Sequence, residues 1–334
     1  MPCRGARKSM CEKRCLSPLL LEVKNLNVSF IDGKREFPIL RDITFSLAKG
    51  ENLGFVGESG CGKSMTAYSL LRLLPEGMKI VSGNIIYKGK DITKFTEKEL
   101  TGFRGREIAM VFQNPSMALN PVLTVGEQII ETMLNHGISR REAFKKAVSL
   151  LDELKIAEPE KIVKEYPHML SGGMCQRVVI AIALACEPEI LIADEPTTAL
   201  DVIVQKEVLD IIKNICTKRG MGLVIVSHDL GVISYMADSV GVMYCGKLIE
   251  QGAIKDILNN PAHPYTKGLL AALPKHGKEL LCIKGIVPKF SDWTNRGCMF
   301  FDRCEYHDDK CKDDFGYVVI EQAHRALCRK VNEI

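Results

Sequence analysis

The segment Gly57-Glu58-Ser59-Gly60-Cys61-Gly62-Lys63-Ser64 constrains this chain more than any other stretch of it. It has the form G-x-x-x-x-G-K-[ST]. The apolar run Leu53-Gly54-Phe55-Val56 precedes it, and apolar residues at helical spacing follow from Met65 to Leu74, where Pro75 ends the pattern. Strand, glycine-rich turn and helix, in that order, are the context in which such a loop cradles phosphate. The glycines let backbone amides turn inward, and the start of the helix adds the positive end of its dipole. Lys63 is expected to reach the β- and γ-phosphates of a nucleotide, and Ser64 to offer its hydroxyl to Mg²⁺.

A metal held against phosphates needs a carboxylate on its far side. Ile190-Leu191-Ile192-Ala193-Asp194 is an apolar strand ending in one, so Asp194 is the expected Mg²⁺ ligand, directly or through water. Glu195 follows at once and is the candidate to orient or deprotonate an attacking water. Elsewhere, the alternation in Leu21-Glu22-Val23, in Leu26 to Phe30 and in Ile43 to Leu47 predicts an antiparallel β region opening the fold. Thr124 with Glu127 and Ser139 with Glu142 have capping-box spacing and start two helices in a region of helical character from about 114 to 186. Strand returns at 190–193, helix at about 203–218 and strand at Leu223 to Val226. Such alternation implies a parallel sheet covered on both faces. After about 255 the pattern weakens, Pro261, Pro264, Pro274 and Pro288 interrupt it, and a separate C-terminal lobe is expected.

Composition narrows the function. With 45 basic and 41 acidic residues the charge is too balanced for a phosphate-tracking nucleic-acid surface. The basic residues near the N-terminus are followed only by Leu19-Leu20-Leu21, too short for the apolar core of a signal peptide. The apolar run Val178 to Cys186 is about half of the roughly 20 residues that span a bilayer. A cytoplasmic or peripherally held protein is expected. Its thirteen cysteines then read as reduced thiols or metal ligands rather than disulfides.

Leu170-Ser171-Gly172-Gly173-Met174, placed before the Asp194 strand, resembles the signature motif of ATP-binding-cassette proteins. Ser171 would cap a helix whose first amides form an anion site. The resemblance implies that Ser171, Gly172, Gly173 and Gln176 cover ATP held by a partner subunit. Gln113 resembles the Q-loop glutamine, which senses Mg²⁺ and the attacking water. Ala199-Leu200-Asp201 resembles the D-loop, and His228 the switch histidine at the γ-phosphate. Phe30, with Phe37 as the alternative, would stack on adenine, and the ATP-binding stretch extends through Met65. The resemblance covers about residues 20 to 260, with two departures: Cys175 stands where relatives usually carry a basic residue, and Met65 where Thr is common. The implied fold is an α/β P-loop cassette with parallel core sheet, antiparallel β subdomain and helical signature subdomain. Its expected divisions are a flexible extension over 1–18, a nucleotide-binding domain over 19–255 and a cysteine-rich extension over 256–334.

His263-Pro264-Tyr265-Thr266-Lys267 followed by Leu269-Leu270 resembles the C-terminal extension of oligopeptide, dipeptide and nickel importer ATPases. Cys298, Cys304, Cys311 and Cys328 repeat that family's four-cysteine pattern, which holds a [4Fe-4S] cluster in some relatives. Physically, a proline-broken lobe with a small core suits a metal staple, and the wide cysteine spacing favours a cluster over zinc; free thiols are the third possibility. The resemblance further implies a second homologous ATPase, two membrane permeases and an external binding protein, with this chain at the cytoplasmic face of the membrane. The cargo would be di- or oligopeptides, or alternatively nickel or another small solute. A soluble cassette acting on nucleic acid or ribosomes normally has two cassettes or a long coiled coil, and a redox regulator with a vestigial ATPase would not keep Glu195 and His228.

Overall fold

The computed structural model describes residues 18–198, 200–273, 283–293, 296–321, 323–331 and 333, without the side chain of residue 116. The N-terminal tail with Cys3, Cys11 and Cys15, the D-loop's Ala199 and Pro274 lie outside the described residues.

Two sheets form the frame. In the first, β2 (Arg35–Ala48), β1 (Leu19–Asp32), β4 (Met78–Tyr87) and β5 (Lys90–Asp91) pair antiparallel in that order. The expected opening β region is therefore present, but as two 14-residue strands whose register shifts near residues 23 to 29 rather than as short separate runs. The second sheet runs β11 (Val318–Glu321), β12 (His324–Ala326), β10 (Lys247–Ala253), β9 (Ser239–Tyr244), β3 (Asn52–Val56), β8 (Gly222–Ser227), β7 (Ile190–Asp194), β6 (Ile108–Val111). From β9 to β6 all neighbours are parallel, with β3 hydrogen-bonded on both sides.

Side chains on successive positions of these strands enter two different cores. On β7, Leu191 and Ala193 join one core while Ile190 and Ile192 join the other; on β8, Leu223 and Ile225 are divided in the same way from Val224 and Val226. Period-two alternation into two dry layers is what a parallel sheet covered on both faces requires. One layer contains the helix Lys63–Leu70 and the antiparallel sheet. The other contains the helices Val125–Asn135, Arg140–Glu153, Gly172–Leu184 and Val202–Arg219. The Thr124–Glu127 capping box closes reciprocally, whereas Ser139 accepts from the Glu142 amide without a return bond from the carboxylate. Thr96 and Glu99 form a further capping box at the helix Glu97–Phe103.

The C-terminal segment does not stand apart. β12 pairs antiparallel with β10, so the chain after Pro288 extends the edge of the main sheet, and Tyr265, Trp293 and Phe300 are buried in the larger core. At this junction lies a fully buried carboxylate. Glu250 Oε1 accepts from the Ala262 amide (2.7 Å) and from His324 Nε2 (2.8 Å), and Oε2 from the His263 amide (2.9 Å). Burial alone would raise its pKa, but these bonds lower it below the ordinary value. A depressed folded pKa contributes stability that is present at neutral pH and lost as pH falls through it. Glu250→Ala, which strands three donors, should cost on the order of 3 kcal/mol in denaturant unfolding at pH 7, with a smaller difference from the native protein in acid.

Candidate functional site

Four parallel strands, β3, β6, β7 and β8, end on one side of the sheet, and each is followed directly by an expected site residue. Gly57 follows β3, Gln113 lies two residues past β6, Asp194 ends β7 with Glu195 next, and His228 follows β8. The register brings these ends level: Val56 is opposite Ser227, Val111 opposite Ala193, and Asp194 opposite Val226. Sites at the carboxyl ends of such strands are the general rule for open α/β sheets.

The loop 57–62 needs its glycines. A Cβ at Gly57 would stand 2.2 Å from the Met243 carbonyl oxygen, and Gly60 and Gly62 sit at φ 77° and 106°, the second as the N-cap of the helix Lys63–Leu70. Lys63, 5% exposed, donates from Nζ to the Gly57 carbonyl (2.8 Å) and the Glu58 carbonyl (3.0 Å). Cys61 is wholly buried beneath the loop, and its Sγ lies 3.8 Å from the same ammonium. Ser59 and Gly60 are exposed, and Met65 packs partly buried against the smaller core.

Ser64 Oγ donates to Asp194 Oδ1 at 2.9 Å. Asp194 is fully buried, and its Oδ2 has no hydrogen-bond partner. Burial raises the Asp194 pKa and the adjacent Glu195 adds to this, while the Ser64 hydroxyl opposes it. A buried carboxylate with a free oxygen beside a serine hydroxyl becomes favourable as an anion when a cation is beside it. The donor set therefore fits Mg²⁺, a hard cation that takes oxygen ligands.

Glu195 is held at φ 45° by its amide's 2.9 Å bond to the Val226 carbonyl, a left-handed conformation costing on the order of 1 kcal/mol for such a residue. Three side chains converge on it. Oε2 accepts from Gln113 Nε2 (3.1 Å) and Thr198 Oγ1 (2.9 Å), and His228 Nδ1 lies 3.0 Å from Oε1. Burial acts to raise the Glu195 pKa, but His228 and Thr198 outweigh it and hold the carboxyl below its ordinary value. Neighbouring carboxylates thus have opposite tendencies, Asp194 raised and Glu195 lowered. Sequence reasoning missed Thr198, which only the turn after β7 brings back to Glu195.

The expected signature lies beside the stretch that follows Glu195, with Gly172 next to Leu200. Ser171 caps the helix Gly172–Leu184 by accepting from the Met174 amide (3.3 Å), and Ser171 and Gly172 are exposed. Gly173 packs against the next helix, where a Cβ would come within 2.6 Å of Val204 Cγ1. Gln176 is buried at 1% exposure and its Nε2 has no hydrogen-bond partner. Asp201 caps the helix Val202–Arg219 through the Ile203 and Val204 amides, and beside it Val202 and Ile203 are 83% and 74% exposed. Cys175 is buried, with Sγ donating to the Pro167 carbonyl. Phe30 and Phe37 both lie on the aromatic shelf: their rings stack at 6.4 Å and 29°, and Phe290 meets Phe37 edge-on.

A profile described as "ABC transporter" matches residues 40–198, and one described as "Oligopeptide/dipeptide transporter, C-terminal region" matches 249–311. Over 297 residues the chain is 48% identical to the oligopeptide transport ATP-binding protein AppD of Bacillus subtilis, covering 87% of this chain and 90% of that one. This chain belongs to the ABC transporter ATPases. Over 315 residues it is 45% identical to the dipeptide transport ATP-binding protein DppD of the same organism, covering 92% and 94%. Among solved structures, the post-hydrolysis dimer of the ATP-binding cassette MJ0796 bound to ADP and Pi superposes with a TM-score of 0.63 at 27% identity, covering 70% of this chain and 99% of that one. The fold is thus that of an ABC ATPase cassette.

The four cysteines of the metal-cluster expectation meet in the structure. Cys298, Cys304, Cys311 and Cys328 do line one cavity with His263 and His307, but it holds only about 10 Å³, roughly the room of a single water. No group of three or more His, Cys, Asp or Glu side chains among the described residues has the arrangement of a metal site. Burial pushes the Cys298 and Cys328 thiols up to about 12 and about 11, and raises Cys304. Neither the [4Fe-4S] cluster nor the zinc alternative finds support.

Ser171→Ala should cost about 1 kcal/mol of thermal stability through the lost cap. If Ser171 also covers a partner's nucleotide, steady-state ATPase activity at a temperature where both proteins are folded should fall at least tenfold, well beyond what that destabilisation produces.

Proposed function

We propose that this ABC ATPase powers the uptake of di- or oligopeptides, with ATP hydrolysed at the strand ends described above. The observation that carries the reading is the meeting of Lys63, Ser64 and Asp194 with Glu195, Gln113 and His228 at one edge of the sheet. The peptide cargo rests on the C-terminal match and on relatives named for oligopeptide and dipeptide transport.

In this reading the loop amides and Lys63 grip the triphosphate, with Phe30 or Phe37 against adenine and Ser64, Asp194 and Gln113 around the metal. Mg²⁺ bound there neutralises charge that develops on the phosphoryl oxygens. Glu195, kept ionised by its three partners, orients the attacking water and accepts its proton, and His228 stabilises the resulting charge. No step needs the side chain of Cys61 or Met65. The exposed Ser171 and Gly172, together with Asp201 and the exposed Val202 and Ile203, form the face that closes on a second, homologous ATPase. Two permeases and an external binding protein supply the transport path and the cargo, and the chain works at the cytoplasmic side of the membrane. Among the described residues no helix is long and apolar enough to cross a bilayer. The near-neutral charge gives no support to a nucleic-acid role.

Lys63→Ala should lower Mg-ATP affinity by two orders of magnitude or more in equilibrium binding, since the buried ammonium is the cation nearest the loop carbonyls. Glu195→Gln should retain Mg-ATP and accumulate as an ATP-bound dimer by size exclusion, with turnover reduced about a thousandfold. Normal turnover in that variant would remove Glu195 from the role of base. Copurification of permeases from solubilised membranes, with peptide uptake lost in a strain lacking this chain, tests the cargo.

A further inference from the structure

Glu58, the second residue of the phosphate loop, is held at three points, and two of the holders come from the C-terminal segment. Its amide donates to the Tyr265 hydroxyl at 2.8 Å, and its carbonyl accepts from Lys63 at 3.0 Å. Its carboxylate takes both guanidinium nitrogens of Arg303, Nη1 to Oε2 at 2.8 Å and Nη2 to Oε1 at 3.1 Å. The Arg303 side chain is 4% exposed, and the Glu58 side chain 30%. Arg303 is itself placed without slack: Nε donates to the Lys284 carbonyl (2.9 Å), and the guanidinium lies 5.8 Å from the Tyr244 ring and 5.7 Å from that of Phe300. Tyr265 is wholly buried against the same Tyr244 ring.

The loop needs such a holder. Gly60 and Gly62 give the backbone freedom that other residues would remove, so nothing local makes Glu58 face away from the phosphate cradle. Lys63 Nζ already touches the Glu58 carbonyl at 3.0 Å, so an unpaired Glu58 carboxylate would be free to turn toward the same ammonium and compete with phosphate for it. A desolvated bidentate pair to arginine prevents this, and its planar fork fixes direction as well as charge.

We propose that Arg303, assisted by Tyr265, is a positioning residue for nucleotide binding: the C-terminal segment holds the Glu58 carboxylate off Lys63 and sets the shape of the phosphate loop. The proposal rests on the reading of 57–64 as the ATP site. It gives the segment after residue 260 a role in the ATPase reaction itself, independent of any metal at its cysteines.

The test is Mg-ATP binding and steady-state kinetics on the full chain with Arg303→Gln, Glu58→Gln and the double variant. Arg303→Gln should raise Kd and KM for Mg-ATP about tenfold, equivalent to 1.4 kcal/mol, with kcat changed less than threefold. Adding Glu58→Gln to it should recover most of that loss, because the carboxylate that would compete for Lys63 is then gone. A purely structural arginine would show no such recovery. Additive losses in the double variant, or unchanged Kd in a folded Arg303→Gln, overturn the proposal. Should Arg303→Gln not fold, Tyr265→Phe decides: removal of the acceptor for the Glu58 amide should raise Kd severalfold, and unchanged Kd overturns the inference. Lys63→Ala run alongside separates the two failures. If it binds Mg-ATP normally, the site reading is wrong; if it loses binding while Arg303→Gln keeps it, only the positioning role is.

Discussion

β3 is hydrogen-bonded on both sides within a sheet whose two faces are dry, and the rest of the site follows from that burial. With no polar atom tolerated on either face, the chain after Val56 can present its amides only by leaving the sheet at the strand's end. The same restriction acts on β6, β7 and β8. Gln113, Asp194, Glu195 and His228 therefore collect on one edge although they are spread over more than a hundred positions of sequence.

Two adjacent carboxylates at that edge are driven apart by their surroundings. Asp194 points into the protein, where burial disfavours its charge and one oxygen has no donor; Glu195 turns outward through a left-handed φ and gathers Gln113 and His228 from two other segments and Thr198 from its own turn. The first environment asks for a cation, and the second keeps an acceptor ionised. A single change in backbone conformation between neighbouring residues separates the two environments, and the β8 carbonyl holds Glu195 in the strained form.

The C-terminal segment is integrated with this arrangement rather than appended to it. Its last strand completes the main sheet through β10, Glu250 ties the turn at 262–263 to His324, and Arg303 and Tyr265 reach the phosphate loop. Backbone bonds from Cys298 to the Cys311 carbonyl and from Cys304 to the Phe301 carbonyl shape the turn that carries Arg303. The cysteine-bearing turns thus serve as a scaffold for that arginine.

The sequence alone determined the phosphate loop, the Asp194-Glu195 pair, the Ser171 cap and the alternation of strand and helix. Each is written in residues a few positions apart, where local sterics, capping and periodicity act directly. It left open what depends on distant partners. The continuous β1–β2 pairing and the addition of β12 to the main sheet are examples. The four cysteines are widely spaced in sequence, and only the packing of the segment brings them to one cavity. The Glu58–Arg303 pair joins residues 245 positions apart. Nothing local to either residue encodes it, because the completed core decides which charged groups are brought side by side.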